Sequence, residues 1–140
     1  MKYYLDSNIF IYSVTEEDPG RRARDLIRKI EEGKINGATS VLTLDEIIWI
    51  VQKEINRETA IKTGRKLLMM ENLEILSTDA ETGTKSLQIM EENKTDPRDS
   101  MHIATARNHG IYTMITEDSD MADTEIETIN TEQILERLDK

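Results

Sequence analysis

The amino-acid sequence predicts an α/β fold, a sandwich built on a mostly parallel sheet, and three observations carry that expectation. Short apolar strands alternate with longer helices along the whole chain, the pattern of successive β–α units. The helices place apolar residues at helical spacing, most cleanly at Leu44, Ile47, Ile48, Val51 and Ile55. No low-complexity linker, repeat or break in composition divides the 140 residues, so a single domain spanning 1–140 is expected.

Taken in order, Tyr3 to Leu5 is a strand with Asp6 just past its end, and Asn8 to about Val14 is helical. Pro19-Gly20 punctuates the chain before a helix from about Arg21 to Glu32, which stops at Gly33 and lines up Ala23, Leu26, Ile27 and Ile30. A strand near Gly37 to Ser40 leads into a helix from Thr43 to Ile55, and a further helix runs from Arg57 to Met70. Leu73 to Ser77 is a strand and Ala80 to Asn93 a helix. The helix that begins at Pro97 ends at Asn108-His109-Gly110, a strong stop signal. Tyr112 to Ile115 and Glu125 to Ile129 complete the strands, and Thr131 to Leu138 is a final amphipathic helix.

Composition narrows the function classes. Hydrophobic content of 37% with 33% charged residues describes a soluble globular protein, and the longest apolar run, Ile47 to Val51, is far too short for a membrane span. The N-terminus reads straight into structure without a cleavage signal, and there are no cysteines, which together suit a reducing cytoplasm. The net charge of −10 argues against tight nonspecific binding to a polyanion, unless bound cations invert the local potential or basic residues are concentrated in one place.

In open parallel sheets, sites form beyond the carboxyl ends of the strands. Asp6 follows the first strand directly, and Thr116-Glu117-Asp118-Ser119-Asp120 follows the Tyr112 to Ile115 strand, so two distant acidic segments converge on one edge. Each is also an ordinary turn composition. Thr43 and Glu46 have capping-box spacing, and Asp96-Pro97 has the form of an N-cap followed by Pro, which leaves Asp99 in a first turn that favours any carboxylate. A metal site gives all four acids one purpose. Hard cations such as Mg²⁺ and Mn²⁺ take oxygen ligands, and crowded carboxylates repel one another unless a cation neutralises them. Such a centre hydrolyses phosphodiesters without a His or Lys base.

These segments carry a family resemblance. Tyr4-Leu5-Asp6-Ser7-Asn8-Ile9-Phe10-Ile11-Tyr12 resembles the opening of PIN domains. Glu46 within Leu44-Asp45-Glu46-Ile47 matches the second acid of that family. Asp96-Pro97-Arg98-Asp99-Ser100-Met101-His102-Ile103-Ala104-Thr105-Ala106 is similar to its third motif. Ile115-Thr116-Glu117-Asp118-Ser119-Asp120-Met121 is similar to its last, with Met121 where an aromatic is commoner. Together the motifs span nearly the whole chain. The resemblance implies a Rossmann-like three-layer sandwich, dependence on Mg²⁺ or Mn²⁺, and endonucleolytic cleavage of RNA. A compact chain of this length is most like the toxin of a VapBC toxin–antitoxin pair, which implies a homodimer and a VapB-like antitoxin that occludes the site.

On this reading Asp6 and Asp99 are the principal metal ligands, Glu46 and Asp118 complete the pocket, and Asp120 is a reserve ligand. Asp96 reads as a cap. Ser7, Asn8 and Thr116 orient carboxylates or phosphate. Arg21, Arg22, Arg24, Arg28 and Lys29 form a candidate RNA-positioning surface, against the plainer reading of a solvated face balanced by Asp25 and Glu31. His102 lies three residues after Asp99 on one helix, yet a hydrogen-bonded surface histidine is the expectation for it. The tyrosines Tyr3, Tyr4, Tyr12 and Tyr112 are expected in packing, and Trp49 in either a dimer contact or the core. Two other readings compete: a PIN-like module without activity that binds RNA or mediates assembly, and a phosphotransfer receiver or phosphohydrolase. The last two want a second acid beside Asp6, where the sequence reads Ser-Asn.

Overall fold

A computed structural model of the chain describes residues 1–14, 18–118 and 126–140. Within these, strands β1 (Lys2–Leu5), β2 (Asn36–Ser40), β3 (Leu73–Leu76), β4 (Thr113–Ile115) and β5 (Glu127–Ile129) form one sheet in the order β3-β2-β1-β4-β5. Every described pairing is parallel. The helices are α1 (Ser7–Ser13), α2 (Gly20–Glu31), α3 (Val41–Glu54), α4 (Arg57–Leu68), α5 (Ala80–Glu92), α6 (Pro97–Asn108) and α7 (Thr131–Leu138).

Side chains alternate across each strand, so each face of the sheet buries its own core. Leu5 and Ile115 point to one face and pack with Ile9, Leu26, Ile30, Ile47, Val51, Ile129 and Ile134 from the helices and strands around them. Tyr4 and Met114, one residue away in each strand, point to the other and pack with Ile89, Ile103 and Ala104 of α5 and α6. The result is a three-layer sandwich. Strand order reverses between β1 and β4, so the crevice expected at a switch point lies past the ends of these two strands.

Most elements form where periodicity placed them. The exception is the start of α3, which opens at Val41 with Ser40 as N-cap; the Ser40 Oγ accepts from the Leu42 N–H at 3.2 Å. Thr43 is therefore inside the helix, buried, and accepts a hydrogen bond from Thr39 Oγ1 at 2.7 Å, so the capping-box alternative for Thr43 and Glu46 is corrected. Tyr112 falls outside β4 and is 56% exposed under the Arg107 guanidinium, so it is not a packing residue. Trp49 is exposed on α3, beside Lys53, rather than in the core. Among the described residues no helix is long and apolar enough to cross a membrane.

The close approach of α3 and α4 depends on Gly64. A Cβ there would meet Ile48 Cγ2 at 2.9 Å and Leu44 Cδ1 at 3.2 Å. Gly64→Leu is expected to cost about 1–3 kcal/mol through overpacking. Chemical denaturation checks this, and an unchanged midpoint would contradict so tight a seam.

Candidate active site

The acids come together because β1 and β4 end in register. Leu5 pairs with Ile115, and the Asp6 N–H bonds to the Ile115 carbonyl at 3.0 Å, so Asp6 and Thr116 each begin past a strand end. Asp6 is 4% exposed and held at both oxygens. The Ser7 N–H donates to Oδ1 at 2.8 Å, and Thr116 Oγ1 donates to Oδ2 at 2.8 Å. That threonine oxygen also accepts from Asn8 Nδ2 at 3.1 Å and from the Asp118 N–H at 3.0 Å. One hydroxyl thus ties Asp6, Asn8 and Asp118 together.

Glu46 lies more than a turn into α3. Its Oε2 accepts from Ser7 Oγ at 2.9 Å, and its Oε1 bonds His102 Nε2 at 2.5 Å. Asp99 stands in the first turn of α6. Asp96 takes the N-cap position as expected, with Pro97 in the first turn, but its side chain makes no capping bond. The expectation of a surface His102 is corrected: the ring is 1% exposed and its Nδ1 meets the Tyr4 hydroxyl at 2.6 Å. Tyr4 also reaches Ser40 Oγ at 2.7 Å, and burial pushes its phenol up, keeping it protonated.

The electrostatics link the same groups. Burial raises Asp6 above the usual carboxylate range, against the opposing effects of His102 and the Thr116 bond. Burial would also raise Glu46, but the bond and charge of His102, the Ser7 bond and the nearby Arg98 outweigh it and hold this carboxyl low. Asp99 is pushed up to about 6 by burial and then by the charges of Asp6 and Asp118. Carboxylates from four separate segments therefore share one electrostatic site.

Among the described residues, no three Asp, Glu or His side chains already stand in metal-holding geometry. The fit to a cation rests on donor chemistry: oxygen donors only, like-charged and partly desolvated, with Asp99 destabilised by its neighbours. That set suits a hard divalent ion. Asp120, with Ser119 and Met121, lies outside the described residues.

The basic residues of α2 are only partly tied to this centre. Arg28 pairs with Asp25 at 3.2 Å, and Arg24 donates to the Ser13 carbonyl at 3.3 Å. Arg21 is exposed and Lys29 half-buried on the same helix. Arg22 Nε donates to Thr131 Oγ1 at 3.2 Å, and Thr131 donates through its N–H (2.9 Å) and hydroxyl (2.5 Å) to Glu117 Oε1. The Glu117 N–H in turn reaches Asn8 Oδ1 at 3.4 Å. Glu117 had no assigned role in the sequence; it ties the segment before Asp118 to the start of α7.

A family model described as the PIN domain matches residues 3–127. The chain belongs to the PIN-domain family. Members of this family are generally nucleases that use divalent metal ions. Comparison with curated protein sequences gives no match. Among solved structures, the PIN fold here is similar to VapBC2 from Rickettsia felis bound to a DNA fragment from their promoter. The TM-score is 0.74 at 18% identity, with 93% of this chain and 98% of that chain covered. It is also similar to DNA-bound VapBC from Salmonella typhimurium (TM-score 0.71, 20% identity, 94% and 98% covered). A third likeness is to VapC20 of Mycobacterium tuberculosis, a sarcin–ricin loop cleaving toxin (TM-score 0.69, 14% identity, 86% and 92% covered).

Thr116→Val removes the shared hydroxyl with little change in shape. It is expected to cost about 1–3 kcal/mol, since buried N–H and carboxylate groups lose their partner. A denaturant melt reads this, and a wild-type midpoint would show that the three bonds carry no stability.

Proposed function

We propose that this PIN domain is a metal-dependent endoribonuclease, the toxin of a toxin–antitoxin pair acting in the cytoplasm. The observation that carries the reading is the convergence of Asp6, Glu46, Asp99 and Asp118 at the switch point of the sheet, with Asp99 raised by burial and then by the charges of Asp6 and Asp118. Asp6 and Asp99, with Glu46 and Asp118, would hold Mg²⁺ or Mn²⁺. Such an ion, when bound, activates water and stabilises the attacking and leaving oxygens of a phosphodiester. The protein's own groups fix the donors: Ser7 and Thr116 clamp Asp6, and Ser7 with His102 clamps Glu46. The Arg22, Arg24, Arg28 and Lys29 face, with Arg21, is the proposed surface for positioning RNA phosphates.

A VapB-like antitoxin belongs to the same reading, supported by the VapBC structures to which the fold is similar, and a homodimer is proposed with it. The apolar groove of Leu44, Ile48, Trp49, Ala60 and Ile61 between α3 and α4, lined by none of the four acids, offers a surface for such contacts.

The test is incubation of the purified chain with structured RNAs and Mn²⁺ or Mg²⁺, beside EDTA and Asp6→Asn controls. Cleavage that both controls abolish supports the proposal. Cleavage that survives EDTA overturns metal dependence, and intact RNA across a broad panel favours a PIN module that binds RNA or mediates assembly without cutting.

A further inference from the structure

We infer that His102, held from behind by Tyr4 and Ser40, is a positioning residue that fixes the orientation of Glu46; the inference rests on reading the acidic site as a metal-dependent nuclease centre. The bonds run as one line from Ser40 to Glu46. An ionised carboxylate only accepts, so the Nε2 contact to Glu46 Oε1 requires the ring proton on Nε2. Ser40 Oγ accepts the Leu42 N–H at 3.2 Å and shares a hydrogen bond with the Tyr4 hydroxyl at 2.7 Å. The same Tyr4 hydroxyl bonds His102 Nδ1 at 2.6 Å. Ser40, Tyr4, His102 and Glu46 thus form one continuous chain of hydrogen bonds that ends on the carboxylate.

The strut joins the end of β2, strand β1, helix α6 and helix α3. At its far side Ser7 Oγ donates to the other oxygen of Glu46 at 2.9 Å. Both carboxylate oxygens are therefore held from different directions, and the group cannot turn about its terminal bond without breaking one hold. Burying an imidazole is costly unless both nitrogens are bonded. The apolar neighbours Ile103 and Ala104 fill the same helix without that cost, so what His102 adds is direction for Glu46. Histidines that bind metals are commonly oriented by a carboxylate behind them. Here the order is inverted, with the carboxylate facing the site and the histidine behind.

The experiment uses the full-length, metal-free chain labelled with ¹⁵N, and long-range ¹H–¹⁵N spectra of its histidines. Only two are present, and His109 is told apart by its Nδ1, which donates to the Thr105 carbonyl at 2.9 Å. One ring is expected to be protonated at Nε2, and its signals are expected to move in Tyr4→Phe and Glu46→Gln. Mn²⁺ titration is expected to show affinity reduced roughly 10–100-fold in His102→Leu, the usual cost of losing an outer-shell partner. His102→Gln, which keeps an N–H donor, is expected to recover part of it. Tyr4→Phe preserves shape and so tests the strut in a variant that folds.

Wild-type Mn²⁺ affinity in folded His102→Leu and Tyr4→Phe overturns the inference, as does a ring signal indifferent to Glu46→Gln. If the wild type itself takes up no Mn²⁺, the metal-dependent reading fails and this inference with it. If the wild type binds Mn²⁺ and cuts RNA while the variants match it, the positioning role alone falls.

Discussion

Asp6→Asn is expected to abolish RNA cleavage, by roughly a thousand-fold or more, because metal-borne charge stabilisation contributes several kcal/mol to the transition state. The geometry says why the amide cannot substitute. Both Asp6 oxygens act as acceptors, one toward the Ser7 N–H and one toward the Thr116 hydroxyl. Thr116 Oγ1 already accepts from Asn8 and from the Asp118 N–H, so an amide NH₂ turned toward it finds no free lone pair. Turned the other way, the NH₂ meets the Ser7 N–H. The substitution also removes a buried charge, so the metal-free fold is expected to keep its stability to within about 1–2 kcal/mol of wild type. Cleavage assays and denaturation on the same samples check both halves. Persistent cleavage in a folded Asp6→Asn chain would place the reaction elsewhere.

Asp99→Asn is expected to stabilise the metal-free protein at neutral pH and to destroy its response to metal. The sign follows from the direction of the shift. Burial, then Asp6 and Asp118, raise the folded-state value from 3.8 to about 6. The contribution of the protonated form is therefore fully present below pH 4 and is lost as pH rises through about 6. Above that the folded wild type holds an ionised carboxylate against its neighbours. The neutral asparagine escapes this, by about 1 kcal/mol once solvent screening at a half-exposed position is allowed for. Below pH 4 the two proteins should melt alike. Mn²⁺ reverses the order: at a hundredfold excess over Kd the wild type gains about 2.7 kcal/mol, and Asp99→Asn gains little. Thermal melts at pH 4 and 7.5, with and without Mn²⁺, measure all four cases. A variant less stable than wild type at pH 7.5 without metal would show that Asp99 is not under repulsive strain.

Much of this was legible in the sequence, for a physical reason. Strand ends and helix faces are written in local spacing, so Asp6 and the Thr116 to Asp118 segment could be placed past strand ends before any contact was known. Contacts between distant segments are not written that way. Thr43 and Glu46 have the local spacing of a cap, but β2 runs up to Ser40, the helix starts earlier, and Glu46 is freed to face Ser7 and His102. His102 was noticed for its place one turn after Asp99. Its partner Tyr4 is 98 residues away in sequence, and only the parallel β1–β2 pairing brings Tyr4 beside Ser40 and beneath α6. The available signal was alternation: Tyr4 lies two residues before Asp6 and so shares its side of the strand. Glu117 was likewise invisible, because its partner Thr131 opens the last helix.

The central claim, that four acids from separate elements form one divalent-cation site, is tested most directly by titrating the metal-free chain with Mn²⁺. Electron paramagnetic resonance counts the free ion as it is taken up. Saturable uptake is predicted for the wild type, weakened about ten-fold or more in each of Asp6→Asn, Glu46→Gln, Asp99→Asn and Asp118→Asn, with native circular dichroism throughout. Uptake that is absent in the wild type, or equal in all four folded variants, would contradict it.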